Sequence, residues 1–342
     1  MTVPFLTISS GAADAPAKRP PPRLLRQVGH AAWSAAYLLQ RRLPPPFYYY
    51  FGGIGDELLM SAVFREQVKR GHPPMLVMTA HAALFQNNPD VRATMPVEIR
   101  LPELMKRLGR PVFHPYYGLD YDPVLDKHPA PPYPIIARMC EVCGITGDIA
   151  VRPYLTLNED ERAGGQIAPR QVAIMSSGLS AKPPFLNKQW YPERFAQVVR
   201  ACRDQYNFVQ LGDASDPLLD GALDLRGQTT LREAAAILSQ SRAFVGQIGF
   251  LMHLARAVEC PSVIVYGGRE HPAQSGYPCN ENLYSPVPCA PCWQQNRCDF
   301  GRKCLSQIHA DHVVAALHRL IARAPAPLET EIYTLPPPSA PA

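Results

Sequence analysis

The chain of 342 residues has no apolar run able to cross a bilayer; its best, Ala31–Leu39, is nine residues long, against the roughly 20 that a spanning helix needs. It has no ordered secretory signal either. Residues 1–22 place Ser, Ala and Pro ahead of their basic residues, the reverse of a charged start before an apolar core. These two absences predict a cytoplasmic chain. No Gly-X-Y period occurs, which excludes a collagen-like fibre, and 46% apolar residues exclude wholesale disorder. An excess of one charge sign is missing from most of the sequence. Residues 1–50 hold six of the 34 Lys and Arg and one of the 29 Asp and Glu, leaving 28 of each sign in residues 51–342. A neutral body excludes a nucleic-acid groove running across the whole fold.

The net charge of +5 therefore belongs to a basic, proline-punctuated leader, residues 1–45. It reads as a loose arm with one short helix. The competing reading is an anchor that brings the chain to the anionic inner membrane face through Arg23, Arg26, Trp33, Tyr37, Leu38, Arg41 and Arg42. The 38 prolines are about twice the ordinary share, and six of them fall in residues 321–342. That Pro/Ala-rich tail, residues 323–342, is expected to be disordered.

Between leader and tail, strand, tight turn and helix repeat. Phe47–Phe51 reads as a buried strand and Glu57–Arg65 as a helix. Leu76–Thr79 and Val97–Arg100 read as further strands. After a polar stretch near residues 158–170 with Gly164 and Gly165 the pattern restarts. Val172–Met175, Phe208–Gly212, Ala243–Gly246 and Ser262–Tyr266 read as strands, and Pro192–Cys202, Leu231–Ser239 and Phe250–Val258 as helices. Such alternation predicts an α/β chain with two doubly wound parallel sheets facing a cleft, residues 46–165 and 166–322. Ligands bind such sheets at the carboxyl ends of their strands.

Known nucleotide fingerprints are absent. In Gly52-Gly53-Ile54-Gly55-Asp56, Leu58 stands where a dinucleotide motif needs its third glycine, and no Gly-Lys-Ser/Thr follows to make a phosphate loop. What remains is a turn that puts Asp56 at a helix start. Two roles are open to it there: a helix cap, or a base that takes a proton from a hydroxyl. In Gly246-Gln247-Ile248-Gly249 a strand passes straight into a helix whose free N–H groups suit a pyrophosphate. His253 lies about one turn inside it, as a phosphate neighbour or an ordinary core histidine. Lys188, two residues before Trp190, is either a cation for the same phosphates or a surface lysine.

In order and wording these segments resemble glycosyltransferase family 9, the ADP-heptose heptosyltransferases. The matching stretches are Ile54-Gly55-Asp56-Glu57-Leu58-Leu59, Asn87-Asn88-Pro89, Lys188-x-Trp190, Leu225-Arg226-Gly227, Val245-Gly246-x-x-Gly249, His253-Leu254-Ala255 and Tyr266-Gly267-Gly268. The resemblance spans roughly residues 47–320. It implies a GT-B fold of two Rossmann-like domains: an acceptor domain over 46–165 and a nucleotide-sugar domain over 166–322. It also implies inverting sugar transfer without a catalytic metal, with Asp56 as general base. The donor diphosphate would be held by Gly246, Gln247, Ile248, Gly249, His253, Lys188 and the Ser176-Ser177-Gly178 turn, while Gln210, Gly212 and Asp213 would border the nucleoside. One departure stands out: the family carries Asp-Ser/Thr-Gly where this chain has Gln247-Ile248-Gly249. A non-catalytic nucleotide-binding or scaffold protein on the same frame is the alternative that this departure raises.

Nine cysteines in a cytoplasmic chain point to reduced thiols or metal ligands. Five of them crowd into residues 279–304. Cys289 and Cys292 form a CxxC turn, followed by Cys298 and Cys304, with Cys279 as a substitute ligand. Thiolates so spaced can close a tetrahedral zinc or iron site, or remain free buried thiols. The segment resembles the Cys-rich finger of the autotransporter heptosyltransferase branch, which implies iron in a structural role. The partners implied are a nucleotide-diphosphate sugar donor and a protein or glycan acceptor, without nucleic acid. A homo-oligomer is compatible with this reading.

Overall fold

A computed structural model describes residues 46–336, except Phe51, Leu119, Asp120, Lys182, Pro183 and residues 324–327. The leader, with its apolar stretch Ala31–Leu39, and the last six residues lie outside the described residues. The described residues belong to one compact unit.

The first sheet begins with the aromatic strand β1 (Phe47–Tyr49), whose side chains alternate between faces. Gly52 and Gly53 then turn the chain into helix α1 (Ile54–Lys69), with Asp56 and Glu57 in its first turn, where acids suit the helix dipole. Strands β2 (Met75–Met78), β3 (Val91–Met95) and β4 (Val112–Phe113) complete a parallel sheet of order β3-β2-β1-β4. Helix α2 (Leu101–Arg107) covers β1 and β4. Helix α3 (Ile135–Val142) and strand β5 (Gly147–Ala150) follow.

The expected strand at Val97–Arg100 is not formed. Those residues turn directly into α2, because Pro96 removes a ladder donor and Pro102 sits in the helix's first turn.

After helix α4 (Glu159–Gly164) the second sheet is built from β6 (Gln171–Ile174), β7 (Asn207–Gln210), β8 (Leu223–Asp224), β9 (Phe244–Gln247), β10 (Ser262–Val265) and β11 (Glu281–Leu283). All pairings are parallel, in the order β11-β10-β9-β6-β7-β8. Crossovers are made by α5 (Pro192–Cys202), α6 (Leu231–Ser239) and α7 (Phe250–Ala257), followed by the short α8 (Pro272–Ser275) and α9 (Lys303–Ser306) and by α10 (Ala310–Ala322). The strand order reverses between β6 and β9, and in the first sheet between β1 and β4. Crevices at such reversals take ligands.

The two halves share apolar contacts. Leu58, Leu59 and Val63 of α1 lie in one continuous cluster with Met252 and Leu254 of α7. This explains why α1 is buried over most of its length, Glu57, Ser61, Glu66 and Gln67 included: it is covered by α3 on one side and α7 on the other. The polar stretch after residue 158 is held firmly. Asn158 and Glu161 make a capping box, and a Cβ on Gly165 would lie 2.0 Å from the Ala236 carbonyl oxygen, so glycine lets α4 meet α6.

The tail departs from expectation. Within 323–342, strand β12 (Ile332–Leu335) pairs antiparallel with β5, and Leu335 is buried. Alternating apolar residues in Ile332-Tyr333-Thr334-Leu335 supply the inward face that disorder would waste.

Candidate functional site

A cavity of about 440 Å³ lies where the two crevices face each other. Its floor on the first half is the α1 start, Gly53–Asp56, with Tyr117 beyond β4. On the second half it is lined by Ser177, Gly178, Lys188, Gln247–Leu251, His253 and Glu270.

Asp56 is half-buried in α1's first turn. The helix has Gly53 as its N-cap, and the Asp56 carboxylate accepts the Gly53 backbone N–H, so it caps the helix start while also lining the cavity. Tyr117 donates its hydroxyl to Asp56 Oδ1 at 3.0 Å. Burial raises the Asp56 pKa above the usual carboxylate range. The Tyr117 hydrogen bond and the Lys188 charge pull against that rise, and the Glu270 charge adds to it. A desolvated carboxylate beside a cavity is placed to accept a proton.

Lys188 reaches the same cavity from the turn before α5 and pairs with Glu270 Oε1 at 2.5 Å. Burial would raise Glu270, but Lys188 and Arg269 outweigh it and hold its pKa at about 2. His253 lies inside α7, and its Nδ1 meets the Tyr277 hydroxyl at 2.6 Å. Burial depresses its pKa to about 4, so the ring is neutral at pH 7. The α7 start opens on the cavity through Gly249, Phe250 and Leu251, where backbone N–H groups lack intrahelical acceptors.

The loop at Gln247 has a definite structural use. Its Oε1 accepts the Trp190 N–H at 2.8 Å and its Nε2 donates to Gln189 Oε1 at 3.1 Å; that oxygen also accepts the Gly178 N–H at 2.9 Å. Gln247 therefore ties the strand end to the Lys188 turn and to the Ser177-Gly178 loop.

Gly212 and Asp213 line the cavity near Asp216. Ser176, Gln210 and Gly246 lie behind the lining. Gln210 Nε2 donates to Ser176 Oγ at 3.0 Å and to the Pro217 carbonyl at 2.8 Å, so this pair shapes the wall from within. Sequence reasoning missed Tyr117, Glu270 and Asp216. Glu270 carried a faint signal, since it follows Tyr266-Gly267-Gly268 at the carboxyl end of a strand; Tyr117 and Asp216 sit in loops without a motif.

Cys289, Cys292, Cys298 and Cys304 gather beside Gly268, close enough for their charges to interact. The Cys304 sulfur accepts the Gly268 N–H at 3.0 Å, and the Cys298 sulfur the Arg302 N–H at 3.3 Å. Among the described residues, no group of three or more His, Cys, Asp and Glu side chains is disposed to hold a metal ion. The zinc or iron site expected from the spacing is therefore not shown, and the four thiols stand as free cysteines. Cys279 is buried elsewhere, near Cys260.

Residues 145–299 match the family model described as glycosyltransferase family 9 (heptosyltransferase). Among solved structures, the chain is similar to ADP-heptose lps heptosyltransferase II of E. coli, with 15% identity and a TM-score of 0.60 over 81% of this chain and 98% of that one. It is similar to a family 9 glycosyl transferase from Veillonella parvula, with 14% identity and a TM-score of 0.60 over 83% and 99% of the two chains. It is also similar to TibC of enterotoxigenic E. coli, an iron-containing dodecameric glycosyltransferase, with 16% identity and a TM-score of 0.59 over 81% and 76%. No curated protein matches the chain in sequence. At these identities the likeness is one of fold: the facing parallel sheets expected from the sequence are those of the heptosyltransferases.

Proposed function

Starting from a chain whose residues 145–299 match the glycosyltransferase family 9 model, we propose that it moves a sugar, with inversion, from a nucleotide diphosphate donor to an acceptor hydroxyl. The observation that carries this reading is one cavity holding a desolvated carboxylate, Asp56, opposite a cation, Lys188, and the open α7 start. Asp56 takes the acceptor's proton as its oxygen bonds the anomeric carbon. The sugar–phosphate bond breaks on the opposite side, and the leaving diphosphate keeps the electron pair. Lys188 and the N–H groups at Gly249–Leu251 stabilise that charge. Neutral His253 adds no competing charge. Gly212, Asp213 and Asp216 flank the nucleoside end of the cavity.

Heptose with ADP is the donor we favour, because a similar fold, TibC, has been solved with ADP-D-beta-D-heptose. The acceptor is a hydroxyl of a protein or of a surface glycan. The departure at Gln247 does not favour a degenerate scaffold, since that side chain braces both flanking loops of the cavity.

Replacing Asp56 with Ala is expected to leave ADP binding intact by calorimetry while turnover of an ADP-heptose donor falls about 100-fold or more. Turnover near the parent's would reject Asp56 as the base. The basic leader supports contact with an anionic membrane face. Removal of residues 1–45 should abolish co-sedimentation with anionic vesicles, and retained co-sedimentation would reject that role.

A further inference from the structure

The Cys-rich segment has a second connection, away from its sulfurs. Its residues 292–297 lie between two backbone stretches of the second half that carry the cavity's ion pair. On one side, the Cys292 N–H donates to the Gly268 carbonyl at 2.6 Å and the Trp293 N–H to the Arg269 carbonyl at 2.9 Å, directly before Glu270. Arg269 returns a bond from Nη1 to the Trp293 carbonyl at 2.8 Å. On the other side, the Asn187 N–H donates to the Gln295 carbonyl at 3.1 Å, and its buried Nδ2 donates to the Gln294 and Arg297 carbonyls at 3.2 and 2.8 Å, directly before Lys188. Both members of the Lys188–Glu270 pair are thus next in sequence to residues that the segment grips.

The far edge of the segment is gripped by the first half. Asp126, in the loop between β4 and α3, accepts the Asn296 and Arg297 N–H groups on Oδ2, both at 2.7 Å, and the Gln295 N–H on its carbonyl at 3.0 Å. Hydrogen bonds from successive N–H groups to a carboxylate are charge-assisted and fix a loop more firmly than neutral ones. The Trp293 carbonyl accepts the His128 N–H at 3.2 Å in the same contact.

We propose that Asp126 is a positioning residue: through residues 292–297 and Asn187 it sets where Lys188 stands across the cavity from Asp56. The proposal rests on the reading of Lys188 as the cation for the donor diphosphate. It assigns the Cys-rich segment a strap between the halves that works through its backbone.

The test is a double-mutant cycle read by calorimetric binding of ADP alone to the full chain, with thermal unfolding as the check on folding. Lys188→Ala is expected to weaken ADP binding about tenfold or more. Asp126→Ala should weaken it by a comparable factor, with unfolding cooperative. Asp126→Asn, which keeps the shape and loses the charge, should fall between. In the Lys188→Ala background, Asp126→Ala should cost nothing further, because it acts through the lysine. Losses that multiply in the double variant, or ADP binding untouched by either Asp126 substitution, would overturn the positioning role. If Lys188→Ala itself binds ADP like the parent, the diphosphate reading fails first, and the proposal falls with it.

Discussion

Asp56 and Tyr117 come from different turns of the first half, and their hydrogen bond tunes the carboxylate proposed as the base. Burial raises the Asp56 pKa, while the phenol favours the ionised carboxylate by donating to it. The proposed base works only when ionised, so activity should be lost as pH falls through its raised pKa. Tyr117→Phe removes a stabiliser of the charged form and should move the acid limb of kcat/KM to higher pH. A pH–rate profile with an unmoved limb would show that the phenol does not act on Asp56. No spacing rule announces this pair, because the two stand 61 positions apart and meet through the tertiary fold, the β1–β4 pairing included. The place of Asp56 beside the cavity was legible from its turn and helix start. That of its partner was not.

At the level of elements, the second sheet was read closely from sequence. Helices Pro192–Cys202 and Leu231–Ser239 form at the limits their patterns suggest. The first has Pro at its start. The second has the Thr230–Glu233 capping box, and both bury an apolar stripe. The first half was read less well, because Val97 and Ile99 alternate like a strand but stand between prolines that forbid one. Glycines after β10 mark another limit of pattern reading: they announce a turn but not what lies against it. The Gly267 Cα faces the Asn187 backbone so closely that a Cβ would sit 2.1 Å from its carbonyl oxygen. Gly267→Ala should therefore push the Lys188 turn outward and cost about 1–3 kcal/mol, read as a lower midpoint in chemical denaturation. An unchanged midpoint would mean that the turn moves freely.

Across the whole molecule, Arg232 fastens the halves together. Buried on α6, its guanidinium binds the Glu161 carboxylate with two nitrogens. It also donates to the carbonyls of Ala83 at 3.1 Å and Thr156 at 2.7 Å. Arg232→Ala strands these acceptors and should destabilise the chain by about 2–4 kcal/mol in equilibrium unfolding; a loss below about 0.5 kcal/mol would mark the contact as incidental. The pairing of β12 with β5 has a consequence for how the protein is made. Ala150 and its partner Ile332 are 182 residues apart in sequence. A nascent chain that already carries both parallel sheets still presents β5 as a bare edge. Strand β5 waits until residues about 180 positions further along have left the ribosome, and a chain stalled before them emerges with an adhesive strand that the folded protein covers.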